Sequence, residues 1–126
     1  MPVVVDSDIL IDLLRRVPAA RAALLGARRG GEVIWSVTPV RTEVLRGMRP
    51  GEESATLSAL KLLAWMDVDQ ELADRAGHLG RPYVRSHQGI DAVDLLLAAA
   101  AERLSARLLT RNVRDFPMFP GLEPAY

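Results

Sequence analysis

The feature that most constrains the fold is the apolar run at residues 3–5, VVV, which is followed at once by Asp6 and then by a helical pattern. A continuous run of β-branched residues predicts a strand buried on both faces, as in a parallel sheet, because a strand with one solvated face would alternate. Apolar residues at 9–14 recur at the spacing of one helix face, and Ser7 or Asp8 is the expected cap. Asp6 therefore falls just beyond the carboxyl end of a strand, where open α/β sheets bind ligands.

Strands and helices are predicted to alternate along the rest of the chain. Strands are expected at residues 33–37 and 107–110, with a brief extended piece at 67–69. The tail from residue 116 is proline-rich and expected to be irregular. Further helices are expected at residues 18–29, from Thr38-Pro39 to about 46, and at 54–66, 70–87 (interrupted at Pro82) and 92–101. This order predicts one α/β domain with a central parallel sheet flanked by helices.

The composition excludes several classes of protein and site. The chain has 126 residues with 49% hydrophobic content, which suits one domain with its own core. It has no cysteine, so disulfides, thiolate nucleophiles and cysteine-ligated metals are excluded, and its two histidines are too few for a histidine-rich metal site. A formal net charge of zero predicts no general electrostatic attraction to nucleic acid. No apolar run approaches the roughly 18–20 residues of a membrane helix, so a cytoplasmic protein is expected.

Four carboxylates stand where a parallel sheet could bring them together. Asp6 follows the first strand, Glu43 lies on the helix after the second, Asp94 opens the most apolar helix, and Asp115 follows the last strand. Ordinary alternatives are a helix cap for Asp6, a solvated helix residue for Glu43 and a turn residue for Asp115. With Asp91 as cap, Asp94 could serve only the first turn of its helix, although an ionised carboxylate in so apolar a helix needs a partner.

Carboxylates gathered without histidine or cysteine favour a hard cation with oxygen ligands, such as Mg²⁺ or Mn²⁺. Like charges in one pocket repel each other, and a bound cation keeps them ionised together. The two histidines, His78 and His87, are expected to be surface or core residues rather than ligands.

Three stretches together resemble PIN-domain ribonucleases, and among them the VapC-type toxins of bacterial toxin–antitoxin modules. VVVDSDILIDLL is similar to the opening strand and first acidic motif of that family, and SVTPVRTEVLRGM is similar to the segment that carries its glutamate. DLLLAAAAERLSARLLTRNVRDFPMFPGL resembles the closing block of the family, and it is the most specific of the three. The resemblance covers almost the whole chain and implies one PIN-like nuclease domain over residues 1–126.

The resemblance also implies an activity and a site. The expected reaction is metal-assisted hydrolysis of RNA phosphodiester bonds with one or two Mg²⁺ or Mn²⁺ ions. Many relatives have an aspartate where this chain has Asn112, so the fourth acidic position could be filled by Asn112 or by Asp115. The expected acidic quartet is Asp6, Glu43, Asp94 and Asp115, the auxiliary residues are Thr110, Asn112 and Asp8, and the candidates for binding a substrate phosphate are Arg111 and Arg114.

Two partners are implied as well. VapC-type relatives form homodimers and bind an antitoxin protein, which predicts that apolar surface at residues 19–25 and 57–65 is used by partners. Which RNA is cut is not readable from the sequence.

Two other functions stay open at this point. A strand followed by Asp6-Ser7-Asp8 is also typical of haloacid-dehalogenase-like phosphatases, in which Asp6 would be the nucleophile and Asp8 the acid–base. Such enzymes also need a lysine near the phosphate, and the single lysine, Lys61, lies in a leucine-rich helix. The remaining alternative is a binding protein whose acidic pocket does not catalyse.

Overall fold

The computed structural model describes residues 1–126 as a single four-stranded parallel sheet covered by helices. The strands lie in the order β3-β2-β1-β4, and every neighbouring pair is parallel. This confirms the predicted parallel α/β architecture. The strand bounds are β1 Val3–Val5, β2 Ile34–Val37, β3 Ala64–Met66 and β4 Arg107–Leu109.

Six helices connect the strands, and two short 3₁₀ turns lie at Arg81–Tyr83 and Val113–Asp115. No helix has the length and apolar character needed to cross a membrane. The helix bounds are α1 Ser7–Leu14, α2 Pro18–Arg29, α3 Thr38–Arg46, α4 Glu53–Lys61, α5 Gln70–Gly80 and α6 Ala92–Leu104.

The core is built around β1, which pairs with β2 on one side and with β4 on the other. All three residues of β1 are fully buried, as expected for a central strand covered on both faces. Helix α6 packs its alanines against this sheet, and the run from Leu97 to Ala101 is buried. Small side chains let this helix approach the strands closely, so its first turn is held at a fixed place beside their carboxyl ends.

The third strand was misplaced by sequence reasoning. The prediction of a helix over 54–66 is wrong at its end, because α4 stops at Lys61 and Ala64–Met66 forms β3, before the predicted extended piece at 67–69. The Trp65 indole donates a hydrogen bond of 2.9 Å to the Leu60 carbonyl, which bonds the chain back to the helix end. A short apolar run fits either period, and here pairing with β2 decides the outcome.

The helix starts also depart from expectation in two places. The cap of α1 is Asp6 itself, rather than Ser7 or Asp8, since its side chain accepts from the Ser7 amide. The start of α3 has Val37 at the cap position and no side-chain capping bond. The predicted interruption at Pro82 is confirmed, because α5 ends at Gly80 and a 3₁₀ turn follows.

Candidate active site

Asp6 lies at the junction of β1 and α1 and is 6% exposed. Its Oδ1 accepts from the Ser7 amide at 2.7 Å, and its Oδ2 accepts from the Thr110 hydroxyl at 2.9 Å. Burial raises the pKa of Asp6 from 3.8 to about 6, and Asp8 and Glu43 add to the rise against these two hydrogen bonds. The carboxylate is therefore held in one orientation while its ionisation is disfavoured.

Thr110 connects the last strand to this aspartate. It is fully buried directly after β4, and its hydroxyl also accepts from the Asn112 amide at 3.1 Å. The Asn112 side chain makes no hydrogen bond, and the residue is exposed. Thr110 thus fixes both the Asp6 carboxylate and the start of the loop that carries Asp115.

Glu43 is delivered by α3, the helix that follows β2. Its Oε1 is buried and has no hydrogen-bond partner in the protein. Burial raises the pKa of Glu43 above its ordinary 4.5, and Asp91 raises it further, whereas the Ser7 hydroxyl and Arg46 lower it. A buried carboxylate oxygen without a donor is costly, so this atom indicates a missing positive partner.

Asp94 lies in the first turn of α6, where it forms the predicted capping box with Asp91. The Asp91 side chain accepts from the Asp94 amide at 2.9 Å, and Asp94 Oδ2 accepts from the Asp91 amide at 3.1 Å. Burial raises the pKa of Asp94 from 3.8 to about 7; the Asp91 amide opposes this rise, while the charges of Asp91, Asp6 and Asp115 add to it. Asp94 therefore takes part in the helix cap, and it also interacts electrostatically with the other acids.

Asp115 is the fourth acid of the group and lies in the loop after β4. It ends the 3₁₀ turn after β4 and is held there by its neighbour Phe116, which is 1% exposed. Its charge raises the pKa of Asp94, so the two carboxylates are close enough to interact electrostatically. Asp115 is half-buried and interacts electrostatically with Asp94. The Asn112 side chain, by contrast, makes no hydrogen bond.

The four predicted acids thus meet at the carboxyl edge of the sheet, yet no three of them approach closely enough to hold one ion directly. The donor set still fits a hard cation, because it consists of carboxylate oxygens and one of them, Glu43 Oε1, is buried without a donor. Mg²⁺ usually keeps several waters and is bound by one or two carboxylates, so such spacing suits it.

Asp8 and Arg111 have structural partners beside this edge. Asp8 accepts from the Ile9 amide at 2.8 Å and from the Arg111 amide at 2.9 Å, which ties α1 to the loop after β4. The Arg111 guanidinium pairs with Asp12 at 3.0 Å and lies over the Tyr126 ring. Asp12 and Tyr126 were not identified by sequence reasoning, although the Tyr126 hydroxyl also donates to Asp12.

An open cleft of about 680 Å³ lies beside Glu43 and Asp91. Thr42, Arg46 and Asp67 also line it, so an anionic substrate there would meet acids as well as one arginine. Asp91 was expected to be a capping or auxiliary residue; it caps α6, and its charge also raises the pKa of Glu43. Asp91 and Glu43 lie on separate segments that both line this cleft, and no local pattern encodes their proximity.

Comparison with known proteins finds relatives that span nearly the whole chain. Residues 3–120 match the profile of the family described as PIN domain. The chain is 43% identical over 122 residues to Ribonuclease VapC19 of Mycobacterium tuberculosis, covering 97% of this chain and 98% of that protein. It is 40% identical over 124 residues to Ribonuclease VapC10 of the same species, covering 98% of this chain and 92% of that protein.

A solved structure matches the fold over the same extent. It is described as a toxin-antitoxin complex from Klebsiella pneumoniae, and it superposes with a TM-score of 0.79 at 25% identity. The match covers 98% of both chains. The fold of the chain as a whole is therefore similar to that of a chain in this toxin-antitoxin complex.

Proposed function

This chain belongs to the PIN-domain family, and we propose that it is an endoribonuclease acting as the toxin of a type II toxin–antitoxin pair. It hydrolyses RNA phosphodiester bonds, and residues 1–126 form its one nuclease domain. The observation that carries the proposal is the set of coupled carboxylates at the carboxyl edge of the sheet, with raised pKa values for Asp6, Glu43 and Asp94. Carboxylates placed so close without cationic partners favour binding of a divalent cation.

We assign Mg²⁺ or Mn²⁺, as one or two ions, to Asp6, Glu43, Asp94 and Asp115. A bound ion supplies an activated water for attack on phosphorus and offsets the negative charge of the phosphate. Support comes from the all-oxygen donor set and from the buried Glu43 Oε1 that has no donor.

Within this proposal the residues of the site have distinct tasks. Asp6 is held rigid by the Ser7 amide and the Thr110 hydroxyl, so it presents a fixed carboxylate. Asp94 is held by the Asp91 amide. Glu43 Oε1 accepts no hydrogen bond, so this oxygen is available to a cation.

Arginines near the site are the candidates for contact with the RNA backbone. Arg114 is exposed in the turn that carries Asp115, and Arg46 lines the cleft beside Glu43. Arg111 is already paired with Asp12, so contact with a phosphate would require this pair to open. A planar guanidinium fits two phosphate oxygens at once, which favours arginine for such contacts.

The proposal includes a protein partner and a homodimer. An apolar cleft of about 240 Å³ lies between α1, α2 and α4, and Leu57 and Leu62 are about half exposed nearby. Apolar surface of this kind is typical of protein interfaces, which supports the antitoxin partner suggested by the solved toxin-antitoxin complex. Since its substrate is RNA, we place the toxin in the cytoplasm.

Cleavage of a panel of structured RNAs by the purified protein tests this function. The protein is assayed with added Mg²⁺, with added Mn²⁺ and with a chelator, alongside a generic aryl phosphate. We expect RNA cleavage that the chelator abolishes and a divalent ion restores, with no release of phosphate from the aryl ester. Phosphate release without RNA cleavage would instead establish a phosphatase, and a folded protein inactive on both substrates would contradict both enzymatic functions.

A further inference from the structure

The segment between α5 and α6 forms a second cleft, of about 260 Å³, that the proposed chemistry does not use. Its walls come from the 3₁₀ turn at Arg81–Tyr83 and from the loop that follows. Its floor is Leu95 of α6, where α5 comes so close that a Cβ on Gly80 would lie 2.6 Å from the Leu95 Cδ1. This tight crossing fixes the cleft as part of the packed fold.

Two aromatic rings line this cleft. Tyr83 and His87 meet edge to face, with centroids 5.4 Å apart and planes at 89°. Ser86 Oγ lies 2.8 Å from His87 Nδ1, which fixes the ring, while His87 Nε2 and the Tyr83 hydroxyl make no hydrogen bond within the protein. The pair therefore offers an aromatic surface together with two unused polar atoms.

The charge of the cleft differs from that of the acidic edge. Its lining carries Arg81 and His87 but no carboxylate, whereas the cleft beside Glu43 is lined by three acids. An anionic chain close to the acidic edge is repelled by unneutralised carboxylates and attracted by such a guanidinium. The second cleft is thus the part of this region suited to a polyanion.

The two sites are joined by a short piece of backbone. Ile90 lines the cleft, and the next residue, Asp91, caps α6 beside Asp94. Gly89 lies against Asp115, since a Cβ there would be 4.0 Å from the Asp115 Oδ1. The cleft and the acidic edge are therefore neighbours, and a nucleotide chain with a phosphate at the edge can reach the cleft with an adjacent base.

We propose that the cleft between α5 and α6 binds a nucleobase of single-stranded RNA next to the scissile phosphate, with Tyr83 and His87 as its stacking and hydrogen-bonding residues. Unpaired bases are recognised by stacking on aromatic side chains and by hydrogen bonds to their edges. This inference rests on the proposed ribonuclease function and adds to it the residues that select the cleavage position.

The test uses an RNA that the parent protein cleaves and whose cleavage position has been mapped. A labelled single-stranded oligonucleotide centred on that position is titrated against the full chain carrying Asp94→Asn, so that it binds without being cut. The same oligonucleotide is then made with one abasic nucleotide, moved along the positions that flank the scissile bond. Tyr83→Leu and Tyr83→Phe are compared in this background, and thermal melts verify folding.

We expect Tyr83→Leu to raise Kd roughly 10-fold, in the range found for loss of one stacked base, while Tyr83→Phe stays near the parent value. One abasic position should weaken binding to the parent by a similar factor, and Tyr83→Leu should then add nothing, because both changes remove the same contact. His87→Ala provides a second variant if Tyr83→Leu does not fold. His78→Ala, an exposed histidine on α5 outside the cleft, is the matched control and should bind normally.

Equal binding by the parent, Tyr83→Leu and His87→Ala would overturn the inference while leaving the ribonuclease function intact. So would a loss of affinity that stays the same at every abasic position, because the substitution would then act on the fold and not on a base. If the parent cleaves no RNA at all, the proposed function fails, and this inference fails with it.

Discussion

The acids at the carboxyl edge of the sheet and the acids elsewhere on the surface differ in their partners. Glu32, Asp69 and Glu102 are each paired with an arginine at 2.6–3.2 Å, and the pKa of each is lowered chiefly by those partners or by a capping amide. Asp6 and Asp94 have no cationic partner, and burial raises their pKa values. Identical functional groups thus respond in opposite directions to these two environments.

This difference concerns how folding affects each carboxylate. A paired surface carboxylate is stabilised by folding, although an exposed pair contributes little. A buried carboxylate without a cationic partner is destabilised in its ionised form, so it either takes up a proton or gains from a bound cation. These electrostatics are consistent with the cation site that we propose at the acidic edge, and those of the paired acids are not.

Removing one acid from the edge should have the largest effect. Asp94→Asn keeps an acceptor for the Asp91 amide but removes a charge from the cation site. We expect RNA cleavage to fall by at least roughly 100-fold, comparable to loss of a preorganised electrostatic group, while the unfolding temperature of the metal-free protein stays equal or rises. Cleavage assays and thermal melts in the same buffer measure both effects.

Glu102→Gln supplies the matched control on the same helix. It breaks the exposed ion pair with Arg75, which is separate from the acids at the carboxyl edge, and should change the unfolding temperature only slightly. RNA cleavage should stay at the parent rate. If Glu102→Gln lowered cleavage as much as Asp94→Asn, the distinction between the two groups of acids would be wrong.

The stability contributed by the two groups of acids should also depend on pH in opposite ways. The folded pKa values of Asp6 and Asp94, about 6 and about 7, lie above the ordinary 3.8, so the folded state binds more protons between pH 4 and pH 7. The stability contributed by these acids therefore falls as pH rises through that window, by about 2–3 kcal/mol for Asp6 alone. The paired acids have lowered pKa values, so their contribution is lost only on acidification below about pH 4.

Chemical denaturation of metal-free protein at a series of pH values measures this dependence. Asp6→Asn should flatten the profile between pH 4 and pH 7, and Glu102→Gln should leave it unchanged. Added Mg²⁺ should stabilise the protein more at pH 8 than at pH 5, because protonated carboxylates do not bind the ion. A profile that is flat in the parent would contradict the raised pKa values.

Asp8→Asn should give the smallest effect of the substitutions near the edge. Asp8 bonds to the amides of Ile9 and Arg111, and an asparagine oxygen can replace one carboxylate oxygen but not both. We expect a stability loss of about 1 kcal/mol and less than 10-fold loss of cleavage. In a phosphatase with Asp8 as general acid, the same change would remove 10²–10⁴-fold of the activity. Side-by-side assays on RNA and an aryl phosphate distinguish the two outcomes.

Most of the fold followed from local sequence patterns, and the failure at β3 shows their limit. The strand Val3–Val5 and the run Leu97–Ala101 of α6 are buried, and their continuous apolar sequences identified them. Ala64–Met66 is a three-residue strand at the end of a leucine-rich helix, and only its pairing with β2 makes it a strand. Tertiary contacts override a short local pattern, and such contacts are not encoded locally.

The candidate site, like the fold, was predictable only in part. The order of strands and helices placed Asp6 and Asp115 after strands, and resemblance to a family selected them together with Glu43 and Asp94. The action of Asp91 on Glu43, and the Tyr126 contact with Asp12, arise from packing between distant segments. No spacing in the sequence reports such contacts, so the chemistry of the edge was predictable and its supporting contacts were not.

Carbon-13 NMR titration of the side-chain carboxyls in metal-free protein tests the central claim most directly. We predict that Asp6 titrates near pH 6 and Asp94 near pH 7, and that Glu32 and Glu102 titrate below their ordinary values. Saturating Mg²⁺ should lower the pKa values of Asp6 and Asp94 and leave those of Glu32 and Glu102 in place. Ordinary values near 4 for Asp6 and Asp94, unmoved by Mg²⁺, would contradict it.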